Sequence, residues 1–293
     1  MNLRRPTEAD VPAVTELIRA VEVDLVGKAE QTEGDLRDEW ARLDLERDVW
    51  LVELDGRLAA CVAVAIEGRP IFIGYVHPNC RGRGIGTELV DLCEEEGRAR
   101  GLQKLQTPVL TADERAQELL RARGYDEARR YYRMAIDLDE PPAAPDWPPG
   151  LDVAPVEAAE IGRFHDTLDE AFAEEWGHEP EHGVDWRSVR ETRHPDHSLW
   201  FVVKDGEEIA GAAVADEDRR GVGWVAAIGV RKPWRRRGLG EALLLHCFRE
   251  LRARGKRKIA LGVDAENPTG AMRLYERAGM HVARTAVFFE KAL

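Results

Sequence analysis

The chain has 293 residues, enough for two domains of ordinary size, and its 44% hydrophobic and 33% charged content is typical of a soluble globular protein. A formal net charge of −13 argues against a general nucleic-acid binder, whose affinity depends on neutralising phosphates. Because the sequence has no apolar run of about 18 residues, no apolar leader and four cysteines without metal or redox spacing, we expect a cytoplasmic protein with free thiols and no membrane span.

The first half of the chain predicts a regular series of strands and helices. A short strand leads into a helix capped near Thr7, and a variable helical segment follows. The Asp55-Gly56 dipeptide predicts the turn of a β-hairpin. A glycine-rich loop then opens a second helix, followed by a strand over 104–109, a short helix and a last strand over 131–138. Strands and helices that alternate in this way predict an α/β fold with a mixed sheet.

A proline-rich segment separates two halves that repeat each other. The Asp-Gly turn recurs in the second half, Gly240 corresponds to Gly86, and Gly279 corresponds to Gly124. All of these pairs are offset by about 150 to 155 residues, which indicates an internal duplication. Each copy is therefore predicted to be a mixed, mostly antiparallel twisted sheet flanked by helices. The predicted domains are residues 1–138 and 151–293, joined by a semi-rigid linker over 139–150.

The most informative stretch lies between a predicted strand over 224–230 and a predicted helix over 241–254. Three arginines and two glycines fill the turn between them, as Arg235-x-x-Gly238-x-Gly240. The unpaired N–H groups at a helix start, the helix dipole and the arginines together form a seat for a pyrophosphate. The chain has no Gly-Lys-Ser or Gly-Lys-Thr tripeptide, and the turn has only two of the three glycines of a dinucleotide fingerprint.

A second pattern follows a predicted strand over 258–263. Asn267-Pro268 is typical of a helix start, with the asparagine as cap and the proline in the first turn. Tyr275 is predicted near the end of that helix, which Gly279 terminates. From spacing alone, Tyr275 could equally be an aromatic core residue.

The two patterns together resemble the signatures of the GNAT acyltransferase superfamily. Arg235-x-x-Gly238-x-Gly240 resembles its acetyl-CoA loop, and the run from Asn267 through Tyr275 resembles its second signature. The resemblance implies an N-acetyltransferase that uses acetyl-CoA and a small-molecule amine. It implies Tyr275 as the general acid of the reaction. The implied cofactor contacts are Ile228, Gly229, Val230, Arg235, Arg236, Arg237, Gly238, Leu239, Gly240, Glu241 and Asn267.

The first copy keeps the loop but lacks the second signature. Ala112 stands opposite Asn267, and Leu120 stands opposite Tyr275. We therefore expect the first domain not to catalyse, and either to bind acetyl-CoA or to be a purely structural half. This division resembles that of mycothiol synthases, tandem GNAT enzymes in which the C-terminal half is catalytic. The cofactor contacts considered in the first domain are Val76, Arg81, Gly82, Arg83, Gly84, Ile85, Gly86 and Thr87.

The general base of such a reaction is open. The segment 222–230 contains no carboxylate and no histidine, although many relatives carry a glutamate on this strand or its partner. A base acting through water and an amine that arrives already neutral are further alternatives. The side chains considered as a direct base are Glu174, Glu175, His178, Asp216 and Glu217.

The segment from His178 to His182 fits the letters of the zinc motif His-Glu-x-x-His. That motif requires both histidines on one helical face, and Pro180 would interrupt the helix. No metal site is therefore predicted, and the neighbouring Trp176 is interpreted either as part of a substrate-facing segment or as the packed end of a helix.

The acceptor and the oligomeric state are also open. The acceptors considered are an aminoglycoside, a polyamine or amino-sugar derivative, and a peptide N-terminus or lysine. A mycothiol-synthase-like activity is a further alternative, although the substrate-facing segments are too variable to carry that substrate across. The alternative of a different class is a non-catalytic, acyl-CoA-binding regulatory module. Both a monomer and a homodimer are compatible with two domains in one chain.

Overall fold

The computed structural model describes residues 2–65, 70–176, 186–194, 196–219 and 221–293. The chain forms two compact units, one containing residues 1–130 and 286–293 and the other containing residues 131–285. Within the described ranges, no helix has both the length and the apolar composition needed to cross a membrane.

Twelve strands and nine α-helices are present in the described residues. The strands are β1 (Asn2–Arg4), β2 (Val49–Leu54), β3 (Arg57–Ala65), β4 (Ile71–Val76), β5 (Lys104–Leu110), β6 (Asp126–Asp137), β7 (Asp152–Pro155), β8 (Trp200–Asp205), β9 (Glu208–Arg219), β10 (Val222–Val230), β11 (Lys258–Asp264) and β12 (His281–Ala292). The helices are α1 (Val11–Val26), α2 (Glu33–Trp40), α3 (Leu45–Asp48), α4 (Ile85–Ala99), α5 (Glu114–Ala122), α6 (Ile161–Phe172), α7 (Trp186–Arg193), α8 (Leu239–Ala253) and α9 (Ala271–Arg277).

The first unit is built on a sheet with the strand order β1-β2-β3-β4-β5-β12. All neighbours run antiparallel except β4 and β5, which run parallel. Alternate side chains of β2 face opposite sides of the sheet. Leu51 therefore packs with α1 and α2 on one face, and Val52 packs with α4 on the other.

The second unit repeats this arrangement with the order β7-β8-β9-β10-β11-β6. Among the described strands of this unit, only β10 and β11 are paired in parallel. Phe164 and Leu168 of α6 cover one face of the sheet, and Leu243 and Phe248 of α8 cover the other. The predicted fold class, a mixed and mostly antiparallel twisted sheet flanked by helices in each of two copies, is confirmed.

Two strands are divided between the units. Residues 131–137 of β6 pair with β11 in the second unit, whereas residues 286–292 of β12 pair with β5 in the first. Residues 139–150, the predicted linker, contain no helix or strand.

Two local expectations differ from the structure. The second hairpin turns at Gly206-Glu207, one residue later than the Asp205-Gly206 turn expected from the sequence, because Asp205 still pairs with Glu208. Helix α9 begins at Ala271 after a left-handed Gly270, with φ of 80°, so Asn267 is not its N-cap.

Candidate active site

A cleft in the second unit lies where the parallel strands β10 and β11 separate. The two strands pair only from Gly223–Ile259 to Val225–Leu261, and β10 has an irregular register between Val225 and Ala227. Beyond this point β10 continues to Val230. The cleft that opens there has a volume of about 710 Å³. This size matches an ordinary small-molecule site.

Eleven of the residues expected at the second-domain site line this cleft. They come from the end of β10, the loop before α8, the start of α8 and the segment around α9. The residues brought together are Ile228, Gly229, Val230, Arg235, Arg236, Gly238, Leu239, Gly240, Glu241, Asn267 and Tyr275. Arg237 is exposed and is not among the lining residues.

The end of β10 offers backbone hydrogen-bonding groups to the cleft. Within the described residues, Ala227 to Val230 pair with β9 on one side and with no strand on the other. In an extended strand, successive N–H and C=O groups point alternately to the two sides. An extended ligand could therefore pair with this strand in the manner of an added strand.

The loop between β10 and α8 has the backbone shape of an anion seat. Arg236 and Gly238 adopt left-handed conformations, with φ of 61° and 85°, and α8 begins directly after Gly238. The N–H groups of the first helical turn have no intrahelical partner and can bind an anion. A left-handed conformation is unfavourable for an arginine, and such backbone strain is concentrated at functional sites.

Arg235 fixes the position of the loop. Its Nε donates to the Val230 carbonyl at 2.9 Å, its Nη2 donates to the Ala171 carbonyl at 3.2 Å, and its Nη1 lies 3.2 Å from a Glu174 oxygen. Arg235 therefore ties the end of β10 to the end of α6, which is a structural role in addition to any contact with a ligand.

Tyr275 occupies the cleft beside a carboxylate. Its side chain is half-buried, and burial, with a smaller effect from the Glu175 charge, raises the pKa of its hydroxyl above the ordinary value. The phenol is consequently protonated over the whole neutral pH range and can act as a proton donor.

Asn267 connects the segment before α9 to the end of α6. Its Nδ2 donates to Oε1 of Glu175 at 2.9 Å, and its Oδ1 accepts from the Thr269 N–H at 2.9 Å. The side chain thus closes a local turn and holds a carboxylate, instead of capping the helix. Its expected contact with the cofactor stays a prediction.

Glu175 is the lining residue with the most perturbed carboxyl group. Burial raises its pKa to about 7, the nearby Asp264 carboxylate adds to the rise, and the Asn267 hydrogen bond opposes it. A carboxyl group of this pKa exchanges a proton near neutral pH.

The other candidate bases among the described residues either lie outside the cleft or are already paired with cations. Asp216 is 3.3 Å from Nδ1 of His194, Glu217 is 2.6 Å from Nη1 of Arg254, and neither lines the cleft. Glu174 lines the cleft, but its ion pairs with Lys232 and Arg235 hold its pKa below the ordinary value. The residue His178 and the rest of the His-Glu-x-x-His segment lie outside the described residues.

The corresponding loop of the first unit has the same backbone shape. Gly82 and Gly84 have φ of 75° and 82°, close to the values at Arg236 and Gly238. Arg81 forms an ion pair with Asp24. The neighbouring site residues are Val76, Gly86 and Thr87, which are half-buried, Ile85, which is buried, and Arg83, which is exposed and lies 3.5 Å from Asp55.

The first unit differs where the second has Tyr275. Leu120 occupies the equivalent sequence position and is only 3% exposed, in an apolar cluster with Phe72 and Tyr125. A side chain without a titratable group can neither donate nor accept a proton, so this position cannot supply an acid in the first unit. Its cofactor contacts stay predictions.

Comparison with known proteins gives consistent matches over both halves. Residues 13–125 and 161–280 match the Acetyltransferase (GNAT) family. The mycothiol acetyltransferase of Cellulomonas flavigena is 31% identical over 231 residues, which cover 72% of this chain and 64% of that protein, slightly under two thirds of its length. That of Corynebacterium efficiens is 30% identical over 252 residues, which cover 78% of this chain and 79% of that protein. A solved GCN5-related N-acetyltransferase from Sphaerobacter thermophilus is 34% identical, with a TM-score of 0.87 over 99% of this chain and 95% of that one.

Proposed function

Because the chain belongs to the GNAT acetyltransferase family, we propose that its second unit transfers the acetyl group of acetyl-CoA to the amine of a small molecule by direct attack. The observation that carries this proposal is the meeting of three elements in one cleft: an unpaired strand edge, an anion-binding loop and a protonated tyrosine.

The cofactor would lie along the strand edge and the loop. The pyrophosphate would accept hydrogen bonds from backbone N–H groups between Arg236 and Glu241, and the extended pantetheine arm would pair with Ile228 to Val230. These contacts would hold the thioester close to the acceptor. Positioning of this kind can supply roughly 7–11 kcal/mol in the best intramolecular models.

Tyr275 would protonate the thiolate that leaves. A free thiol has a pKa of about 8.5, and a phenol with a pKa above about 10 remains protonated until negative charge develops on the sulfur. The proton would then pass from the phenol oxygen to the sulfur as the carbon–sulfur bond breaks. General acid assistance is typically worth about 10²- to 10⁴-fold in rate.

The acceptor is a small amine in this proposal, and the acceptor of the mycothiol acetyltransferases is the first compound to test because two such relatives are about 30% identical. Aminoglycosides and polyamines complete the panel. The first unit is proposed to be non-catalytic, since Leu120 stands where the second unit has Tyr275.

The test is release of free CoA thiol from acetyl-CoA in the presence of the amine panel. Tyr275→Phe is expected to keep its affinity for acetyl-CoA and to lower kcat by about 10²-fold or more. Tyr125→Phe, which removes a phenol hydroxyl from the first unit, serves as the control. Thiol release at the background rate with every amine would refute the proposed transferase, and an unchanged kcat in Tyr275→Phe would remove Tyr275 from the mechanism.

A further inference from the structure

The geometry of the cleft points to a second proton-transfer residue: we propose that Glu175 accepts the proton of the acceptor amine, and that Asn267 is the positioning residue that holds it. This inference rests on the proposed acetyl transfer, and it assigns the base that the sequence leaves open.

Glu175 is held in the cleft by two independent anchors. The first is a hydrogen bond from Asn267, whose amide Nδ2 donates to Oε1 of Glu175 at 2.9 Å. Among the described residues, Asn267 is the side chain that donates to this carboxylate. The second acts through the backbone, because Arg235 joins the Ala171 carbonyl near the end of α6 to the Val230 carbonyl at the end of β10. The segment carrying Glu175 is thereby fixed to the strand edge along which the thioester would lie.

Neighbouring charges distinguish Glu175 from the adjacent Glu174. Glu174 is exposed and bridges Lys232 at 2.7 Å and Arg235 at 3.2 Å, so its negative charge is already compensated. Within the described residues, no cation is paired with Glu175. Its neighbours among the described residues are the neutral amide of Asn267, the Tyr275 phenol and the Asp264 carboxylate, which is buried in β11. A cationic ligand would supply the opposite charge that the described residues do not place beside this carboxylate.

An alkyl amine requires a base at neutral pH. Its ammonium form has a pKa of about 10.4, so only about one molecule in 10³ is neutral at pH 7. The Glu175 carboxyl group, with a pKa of about 7, is about half ionised at that pH and can take up the proton. An ordinary carboxylate, with a pKa of about 4.3, would be a weaker base by more than two orders of magnitude.

Glu175 and Tyr275 share the proton transfers of the proposed step. The Glu175 carboxylate removes one proton from the ammonium group, and the nitrogen lone pair forms a bond to the thioester carbon. The carbon–sulfur bond breaks, and its electron pair leaves on sulfur, which takes the Tyr275 proton. The second proton lost by the nitrogen restores the Tyr275 hydroxyl, and the proton on Glu175 passes to solvent. The sum is one amide, one free thiol and one proton from one ammonium and one thioester.

The experiment is the pH dependence of kcat/KM in the full-length chain. The unmodified protein should show an acidic limb near pH 7, below which kcat/KM falls tenfold per pH unit. Glu175→Gln can use only the neutral amine, so its limb should move from near pH 7 to the amine pKa of about 10.4, and it should be about 10²- to 10⁴-fold slower at pH 8. The deficit should shrink about tenfold for each pH unit above 8, because the neutral fraction of the amine rises while the glutamate of the unmodified protein is already ionised. Below pH 7 the deficit should stay constant, because both proteins then lose rate in step.

Two further variants separate catalysis from structure. Glu217→Gln removes a carboxylate that lies outside the cleft and is paired with Arg254, and it should keep the acidic limb. Asn267→Ala removes the hydrogen bond that lowers the Glu175 pKa, so its acidic limb should move to higher pH. A merely structural loss would lower the rate without moving the limb. Circular dichroism and acetyl-CoA affinity verify that each variant is folded.

The outcomes distinguish the two proposals. If the unmodified protein releases thiol but Glu175→Gln keeps both the rate and the acidic limb, Glu175 is not the base and the acetyl-transfer proposal stands. If Asn267→Ala leaves the limb in place, Asn267 does not position Glu175. If the unmodified protein releases no thiol with any amine, the transferase proposal is wrong, and the assignment of Glu175 is overturned with it.

Discussion

At the scale of single residues, Glu175 combines a functional position with a cost in stability. Its pKa in the folded protein, about 7, is higher than the ordinary value of 4.5. Between these two pH values the folded chain binds a proton that the unfolded chain has released. The free energy of unfolding therefore falls by up to about 1.4 kcal/mol per pH unit over this window as the pH rises.

The charge on Glu175 should therefore lower the stability of the folded protein above neutral pH. Glu175→Gln removes the charge and should raise the free energy of unfolding at pH 8 by about 1–3 kcal/mol. The gain should be much smaller at pH 5, where Glu175 is protonated in the folded protein. Urea denaturation at both pH values measures the difference.

The control for this prediction is Glu217→Gln, which breaks the ion pair with Arg254 and should give no such gain. A gain in Glu175→Gln of equal size at pH 5 and pH 8 would contradict the argument, because it would not depend on ionisation. A substitution that stabilises the chain while it removes activity is the behaviour expected of a catalytic residue held in an unfavourable environment.

At the scale of elements, the position of the cleft depends on the close approach of α6 and β10. A Cβ added at Gly229 would lie 2.7 Å from the Ala171 Cβ and 3.1 Å from Cδ2 of Leu168. Both neighbours belong to α6. The Ala171 Cβ is bonded directly to the backbone, so no change of side-chain rotamer can move it away. Glycine at this position therefore lets the helix that leads to Glu175 pack directly on the face of β10.

We predict that Gly229→Ala forces α6 and β10 apart. The expected loss is about 1–3 kcal/mol in the free energy of unfolding, the range typical of overpacking. Acetyl-CoA affinity should fall as well, since the strand edge and the loop would shift together. Thermal denaturation and calorimetric titration with acetyl-CoA measure the two effects.

Gly74→Ala in β4 of the first unit is the matched control. A Cβ there would meet Cγ2 of Val62 at 3.4 Å, an ordinary contact, so the substitution should be tolerated. Equal losses of stability in the two variants would contradict the claim that Gly229 is needed for the close approach of α6 to β10.

The same elements show how far the sequence alone could predict the site. The loop from Arg235 to Glu241 is a contiguous run, so an anion-binding turn that opens a helix could be read from residue order. The Glu175–Asn267 contact joins residues 92 positions apart. No local pattern encodes such a pair, and the sequence predicts the asparagine as the cap of a helix that in the structure begins later, after Gly270. The sequence singles out Glu175 only weakly, as one of five candidate bases.

At the scale of the whole molecule, the duplication was predictable and the pairing of the final strands was not. Each repeat ends in a strand of similar composition, and hydrophobic patterning does not specify which sheet such a strand joins. In the structure, residues 286–292 pair with β5 of the first unit, although they belong to the second repeat by sequence. Val287 and Phe289 are buried in the core of the first unit.

This pairing predicts that a substitution in the second repeat will destabilise the first unit. Phe289 is fully buried with Leu105 and Leu89, and Phe289→Ala should cost about 3–5 kcal/mol. Amide hydrogen exchange of residues 104–110 should accelerate, while that of residues 258–264 is retained. Phe248→Ala, in the core of the second unit, should give the opposite pattern. Faster exchange confined to residues 258–264 in Phe289→Ala would show that the last strand stabilises the repeat from which it comes.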